Sequence, residues 1–566
     1  MTLDALNQTS DADALVARAE RHMREGDLRG AFATLKASLR LHPDHGPTTT
    51  AMGLFLADHG DPATATQLLS QAMTLDVSSK ARVAPALARL LAGLSPSRWH
   101  PQLDADLCAC LAQPTVEPQT LAQVTAETLL LKHGAFDGEA ATLEAMGRDP
   151  LWLAFLSRCL NVSARMESRL DAVRAAIVAR RSETGEGLDT LICALGISGF
   201  ASEYVASDRE ADGVAAILFQ PPGAAEAKAL RDSEMRTLLL RHTVEEPARE
   251  RVLAETVPIL TPVEPDAVST AVRAQYEANP YPRWSAPPAP EPRAMHDVIA
   301  ALPGLDRQAF HGRAETVLVA GCGTGFEPID MARMDPSLAI TAMDLSRASL
   351  AHGMRVAEEL GLTRVRFVQG DILALDRIEA RFDVVVSTGV IHHMAQPEAG
   401  LARLAGVVRP GGVIRLGLYS ERARALVRAA HDLIREKGWA PVEADIRAFR
   451  AHVLALSDAE PLAALKGSAD FYSLSGCRDL VFHVREHRYT PPQLAELIAG
   501  AGLRLVGFDA PPEASAAFRQ AFGAADPLDL NLWDQLEARR PTLFAGMYQL
   551  WAQAGEDLRI SPLVRR

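Results

Sequence analysis

Residues 316–344, TVLVAGCGTGFEPIDMARMDPSLAITAMD, restrict the fold of this chain more than any other stretch. Thr316–Ala320 is apolar and β-branched, as a buried parallel strand is, and it stops on Gly321, Gly323 and Gly325 before helix-period residues resume near Pro328. The pattern predicts a strand, a tight turn and a helix. Glycines in such a turn let the chain bend sharply and let a ligand lie against the backbone. A second apolar run, Leu338–Met343, ends in Asp344, twenty-three residues after Gly321. In a doubly wound sheet an acid at that strand tip sits across from the first loop, placed to accept hydrogen bonds from both hydroxyls of a ribose. A nucleoside is the expected ligand.

The dinucleotide fingerprint G-x-G-x-x-G would need its third glycine at position 326, where the chain has Phe326. NAD is therefore disfavoured. Further strand tips follow in order: Gly370-Asp371-Ile372 after a third strand (Val365–Gln369), Phe382-Asp383 opening a fourth (Val384–Ser387), and Arg409-Pro410-Gly411-Gly412 before a fifth (Val413–Leu418). With these in register, the stretch resembles the class I methyltransferases that use S-adenosylmethionine. The resemblance implies an α/β Rossmann-like domain with a seven-stranded, mostly parallel sheet closed by a final antiparallel strand. It also implies a cofactor site made of Gly321, Cys322, Gly323, Gly325, Asp344, Leu345, Asp371, Ile372 and Thr388. Many such sequences carry an acid where this chain has Val319, so the cofactor's amino group needs another partner; Glu327, just past the loop, is a candidate. Asp383 is expected to serve the fold.

The formal charge of −13 argues against a chain whose main substrate is a nucleic acid. Six cysteines (Cys108, Cys110, Cys159, Cys193, Cys322, Cys477) form no C-x-x-C pair, and packed thiols are expected. No basic-then-apolar leader and no run of eighteen apolar residues is present, so a cytoplasmic protein without a membrane span is expected.

The 566 residues are too many for one core. Near the start, Gly26-Asp27 recurs as Gly60-Asp61, Ala31 as Ala65 and Leu41 as Leu75, each thirty-four residues on. This period resembles the tetratricopeptide repeat. It predicts helices at Asp11–Glu25, Leu28–Leu41, Pro47–Asp58 and Pro62–Leu75, which either display a groove for a partner protein or serve as a scaffold. Residues 81–260 read as a further all-α region, with helical segments at Ala84–Leu94, Thr120–His133, Trp152–Cys159 and Met166–Arg181. The expected organisation is repeats over 1–80, a helical domain over 81–260, a linker over 261–300 and the methyltransferase domain over 301–566, with an insertion at 419–500.

The linker carries Tyr276-Glu277-Ala278-Asn279-Pro280-Tyr281-Pro282-Arg283-Trp284. Its prolines hold Asn279 and Tyr281 out of any helix, so the aromatics form a fixed array suited to a lid. A similar stretch leads into the catalytic domain of the bacterial repeat-plus-methyltransferase proteins that this chain resembles. Arg283 is expected to pair with the cofactor's carboxylate, since a guanidinium fork matches that group, and Tyr281 and Trp284 to cover the pocket. The competing reading makes the stretch a hydrophobic staple.

After the fourth strand comes Ser387-Thr388-Gly389-Val390-Ile391-His392-His393-Met394, without the Asn/Asp-Pro-Pro-Tyr of methylases acting on planar amines. His392 or His393 is the candidate base for an acceptor hydroxyl or amine; the alternative is a structural pair. In the insertion, Tyr419 opens an expected helix to Lys437, and His483, His487 and Tyr489 are, with Tyr419, the candidate substrate contacts. A zinc site from His483, Glu486 and His487 is weak, because the alternation around Leu480–Val484 reads as a strand, and no metal is expected. A helix after Thr490, a strand at Leu503–Phe508, a helical connection through Leu528–Arg539 and a last strand at Phe544–Trp551 complete the reading. The expected activity is methyl transfer from S-adenosylmethionine to a small-molecule acceptor. The alternatives are a protein or peptide acceptor chosen by the repeats, and an inactive nucleoside-binding interaction scaffold.

Overall fold

The computed structural model describes residues 11–180, 185–205, 211–262, 267–282, 284, 290–310, 314–483 and 485–555. The chain divides into two compact units, the first ending at Thr243 and the second beginning at Val244. The break precedes the expected boundary at 260 because the helix Glu246–Thr256 belongs with the second unit: Glu250 accepts from Arg355 Nε at 2.9 Å and lies 3.0 Å from His352 Nδ1.

The first unit is helical among its described residues. Helices Ala12–Arg24 and Leu28–Leu41 pair, as do Gly46–His59 and Pro62–Leu75. Asp27 and Asp61 each cap the second helix of a pair, accepting from the backbone N–H groups of Gly30 and Ala63. Positions thirty-four apart share their surroundings: Ala31 and Ala65 are fully buried, as are Leu35 and Leu69, while Leu41 and Leu75 are both exposed. The leucines ending each pair are thus not packing contacts. A second, larger core runs from Leu69 to Leu239 and includes Trp152, Phe155 and Leu191.

The second unit holds a seven-stranded sheet in the order β3-β2-β1-β4-β5-β7-β6. Its strands are β1 (Thr316–Ala320), β2 (Ala339–Asp344), β3 (Val365–Gln369), β4 (Phe382–Thr388), β5 (Val408–Leu418), β6 (Leu503–Asp509) and β7 (Tyr548–Ala554). The first five pair in parallel, and β7 lies antiparallel between β5 and β6. Two apolar layers flank the sheet, one built on Leu318, Val385 and Ile414 and the other on Val317, Val319 and Val386. Connections leave β1 and β4 toward opposite edges, which opens a crevice at their carboxyl ends.

Four departures from the sequence reading have local causes. β5 starts at Val408 because Val408 still pairs with Phe382 across the Pro-Gly-Gly turn; Gly411 makes that turn at φ +74, with the carbonyl of Ala309 1.9 Å from where a Cβ would stand. The last strand begins at Tyr548, since Phe544 is buried by packing on Phe508 and Trp533 ahead of the sheet. Residues around Leu480 are helical (Leu474–Val481), with Ser473 capping the helix through the N–H of Gly476. The helix after Tyr419 starts only at Ala425, because Ser420 Oγ accepts from the N–H groups of Arg422 and Ala423 in a turn.

Candidate active site

The three glycines after β1 all have positive φ, +79 at Gly321, +52 at Gly323 and +88 at Gly325, which is the left-handed region where a side chain is strained. The N–H groups of Gly321 and Cys322 both donate to the carbonyl of Met343, at 2.7 and 3.0 Å. Asp344 Oδ2 accepts from Gly323 N–H at 2.8 Å, and Oδ1 accepts from Ser346 N–H at 2.9 Å. The loop is thereby tied to the tip of β2. Burial pushes the Asp344 carboxyl above its ordinary range.

A cavity of about 840 Å³ opens at this edge of the sheet. Its wall includes Gly321, Cys322, Gly323, Asp344, Leu345, Asp371, Ile372 and Thr388 from the strand tips, Tyr281 from the linker, and His393 and Tyr419 from beyond β4 and β5. Gly325 is not on the wall. It opens the helix Phe326–Met334, and a Cβ there would stand 2.9 Å from the Phe367 ring and 3.0 Å from the Cα of Gly353. Glu327 does reach the wall, where it accepts from Thr388 Oγ1 at 3.3 Å and Arg415 Nη1 at 3.2 Å. Val319 is buried in the sheet's apolar layer. Asp383 accepts from the N–H groups of Glu315 and Thr316, both at 2.8 Å, and so fastens β4 to β1.

The linker crosses this edge as a strap. Tyr276 OH donates to Asp479 Oδ1 at 2.6 Å and Tyr281 OH to Asp470 Oδ1 at 2.5 Å. Glu277 accepts from the N–H groups of Arg347 and Ala348 at the start of the helix Arg347–Glu359. Trp284 is not on the cavity wall: its Nε1 donates to Thr324 Oγ1 at 3.0 Å and its ring meets Phe326 and His352 edge-on. It acts as a staple, because the indole finds its partner in the glycine loop itself. Arg283 lies outside the described residues. Burial holds the hydroxyls of Tyr276 and Tyr281 well above the usual phenol range, so both stay donors, and it raises the carboxyls of Asp470 and Asp479.

Of the two histidines after β4, His393 reaches the cavity and His392 does not. His392 is fully buried against the Tyr419 ring, with centroids 4.2 Å apart, and its Nε2 lies 3.1 Å from His393 Nε2. Burial lowers His393 to about 4 and His392 well below its ordinary value. His483, His487 and Tyr489 are likewise off the wall. His483 stacks on His393 at 3.5 Å; the backbone N–H of His487 donates to the carbonyl of His392; the backbone of Tyr489 bridges Tyr419 and Glu421 while its ring joins the apolar core. The trio His483, Glu486 and His487 does not converge on an ion, since Glu486 is taken up by Arg424, whose Nε lies 3.2 Å from Oε1.

Tyr276, Asp470, Asp479 and Arg424 are wall residues that the sequence did not single out as site residues. The acids stand in stretches that do attract notice, Asp470-Phe471-Tyr472 and Asp479-Leu480. No spacing rule joins them to tyrosines about two hundred residues earlier.

Residues 317–412 match the family described as "Methyltransferase domain". An uncharacterized protein of Synechococcus sp. is 30% identical over 260 residues, covering 43% of this chain and 61% of its own length. An uncharacterized methyltransferase of Mycobacterium bovis is 33% identical over 100 residues, covering 18% of this chain and 48% of its own. The chain thus spans between about half and three fifths of these relatives. Among solved structures, PKMT2 from Rickettsia typhi in complex with AdoHcy aligns at 16% identity and a TM-score of 0.33, over 44% of this chain and 49% of that one. Over residues 317–412, from β1 to the Pro-Gly-Gly turn before the long part of β5, the second unit is similar to methyltransferase domains.

Proposed function

We propose that this chain transfers the methyl group of S-adenosylmethionine to a small molecule bound between the strand tips and the insertion. The observation that carries the reading is one continuous cavity of about 840 Å³, walled by the glycine loop and Asp344 together with Tyr276, Tyr281, Tyr419 and His393. That volume suits a cofactor and a compact acceptor.

The residues fit the cofactor. Gly323 turns its left-handed backbone to the cavity, and a Cβ there would approach the Tyr281 carbonyl to 3.2 Å. Asp344 and Leu345 would hold the ribose, Asp371 and Ile372 the adenine, and Glu327 the amino group that Val319 does not serve. When bound, the cofactor supplies a methyl group on a positively charged sulfur. The chain's contribution is placement: holding the acceptor atom in line in a water-poor cavity is worth up to about 7–11 kcal/mol. Asp470, held in place by the Tyr281 hydroxyl and raised by burial, takes the acceptor's proton. His393 stays neutral at pH 7 and, on the cavity wall, limits the space left for the acceptor.

The shared burial at Ala31 and Ala65 and at Leu35 and Leu69 supports reading the first two helix pairs as tetratricopeptide-type repeats. They act in docking a partner protein.

Incubating the purified chain with methyl-labelled cofactor and fractionated cell extract tests the reading. Label is expected in the small-molecule fraction and is expected to vanish with Asp344→Ala. Label confined to a protein band would replace the small molecule with a protein acceptor.

A further inference from the structure

His393, on the short turn Ile391–His393, and His483, just past the helix Leu474–Val481, stack with ring centroids 3.5 Å apart and planes inclined by 26°. Both rings are anchored by the same atom. His393 Nδ1 lies 2.7 Å and His483 Nδ1 2.8 Å from the carbonyl oxygen of Arg485. A carbonyl only accepts, so each Nδ1 carries the proton; at His483 the carbonyl is closer than the Arg485 amide nitrogen, 3.3 Å away. Each Nε2 is then a lone pair. That of His483 is buried and has no hydrogen-bond partner among the described residues, on a side chain 8% exposed. That of His393 accepts from His392 Nε2 at 3.1 Å. Asp479 completes the group, since one ligand atom from each of the three residues lies within 4.8 Å of the others.

We propose that His393, Asp479 and His483 form a binding site for a divalent transition-metal ion of the zinc or cobalt type, set in the cavity wall. Two imidazole nitrogens and one carboxylate suit such an ion, whereas magnesium and calcium favour oxygen ligands. Tetrahedral ligation at about 2.0–2.1 Å places two ligand nitrogens roughly 3.3 Å apart, inside the 4.8 Å that bounds the three ligand atoms. The outer hydrogen bonds that hold metal-binding side chains in position are already made: the Arg485 carbonyl fixes both rings, and Tyr276 holds Asp479 Oδ1 at 2.6 Å. Arg424, whose charge bears on His392 and His393, is paired with Glu486 and does not oppose a cation unscreened. An ion that takes the lone pair of His393 releases His392. Three protein ligands leave a fourth position, and because His393 and Asp479 are wall residues, that position faces the cavity. The site depends neither on the identity of the acceptor nor on the cofactor being bound.

The full chain, stripped by chelator, is titrated with Co²⁺, then with Zn²⁺, with Mg²⁺ as control. The expected result is one Co²⁺ per chain with the visible absorption of a four- or five-coordinate ion, displaced by one equivalent of Zn²⁺ and unaffected by Mg²⁺. Asp479→Asn and His483→Gln are expected to weaken binding at least ~10-fold, with S-adenosylmethionine affinity followed in parallel. X-ray absorption of the zinc-loaded wild type, expected to show two imidazoles, decides the ligand set should either variant fail to fold. A wild type that takes up no stoichiometric ion, a ligand set without imidazole, or folded variants with unchanged metal affinity would overturn the proposal. Cofactor binding without metal binding rejects the ion site alone, while the reverse rejects the methyltransferase reading alone.

Discussion

Gly325 shows how one residue serves a site that it does not touch. It starts the helix Phe326–Met334 at φ +88, pressed between the Phe367 ring and Gly353. Gly325→Ala is expected to cost about 1–3 kcal/mol, combining left-handed strain with a clash against backbone, read as a lower midpoint in urea unfolding. The glycine spacing and Asp344 were legible in the sequence because a strand-turn-helix unit is local: its strand, its turn and its acid lie within thirty residues. The histidines were less so. A pair such as His392-His393 says nothing of which ring meets the cavity, since that depends on Tyr419 and His483 arriving from other parts of the chain.

Among the elements, strand positions in β1 to β4 followed from apolar runs bounded by glycine and aspartate. The insertion was harder to read. Leu480–Val484 alternates like a strand in the sequence, but Leu480 and Val481 end the helix Leu474–Val481, because Ser473 supplies a cap and Phe471, Cys477 and Val481 are buried. The linker's aromatic array was visible in the sequence, while its attachments were not, each being a long-range hydrogen bond to an acid or a hydroxyl. Trp284→Ala removes the bond to Thr324 and the edge contacts with Phe326 and His352. A loss of about 1–3 kcal/mol is expected, with faster proteolytic cleavage near residue 284 as the local readout.

Stability of the whole molecule should carry the mark of its buried histidines. His393 and His483 are lowered by burial to about 4 from an ordinary value of 6.5. Between these values the unfolded chain binds more protons than the folded one. The histidines' contribution is therefore complete above about pH 6.5 and is lost as pH falls toward 4; for each ring it is on the order of 3 kcal/mol. Asp470 and Asp479, raised by burial, act with the opposite sign, favouring the fold at low pH and losing that contribution as pH rises through their folded values. In chelator-stripped protein, comparing wild type with His483→Gln isolates that ring's part: the variant's melting temperature is expected to fall less between pH 7 and pH 5, and an identical slope would contradict the assignment. No helix among the described residues is long and apolar enough to cross a membrane.

The placing of β7 bears on how the polypeptide is made. Its residues, Tyr548–Ala554, fill the slot between β5 and β6, so both neighbours must wait for the last strand of the sheet to emerge. On the ribosome, β5 and β6 therefore present open hydrogen-bonding edges for as long as the intervening stretch is being translated, and nascent chains stalled before residue 548 are the species most exposed to mispairing with one another.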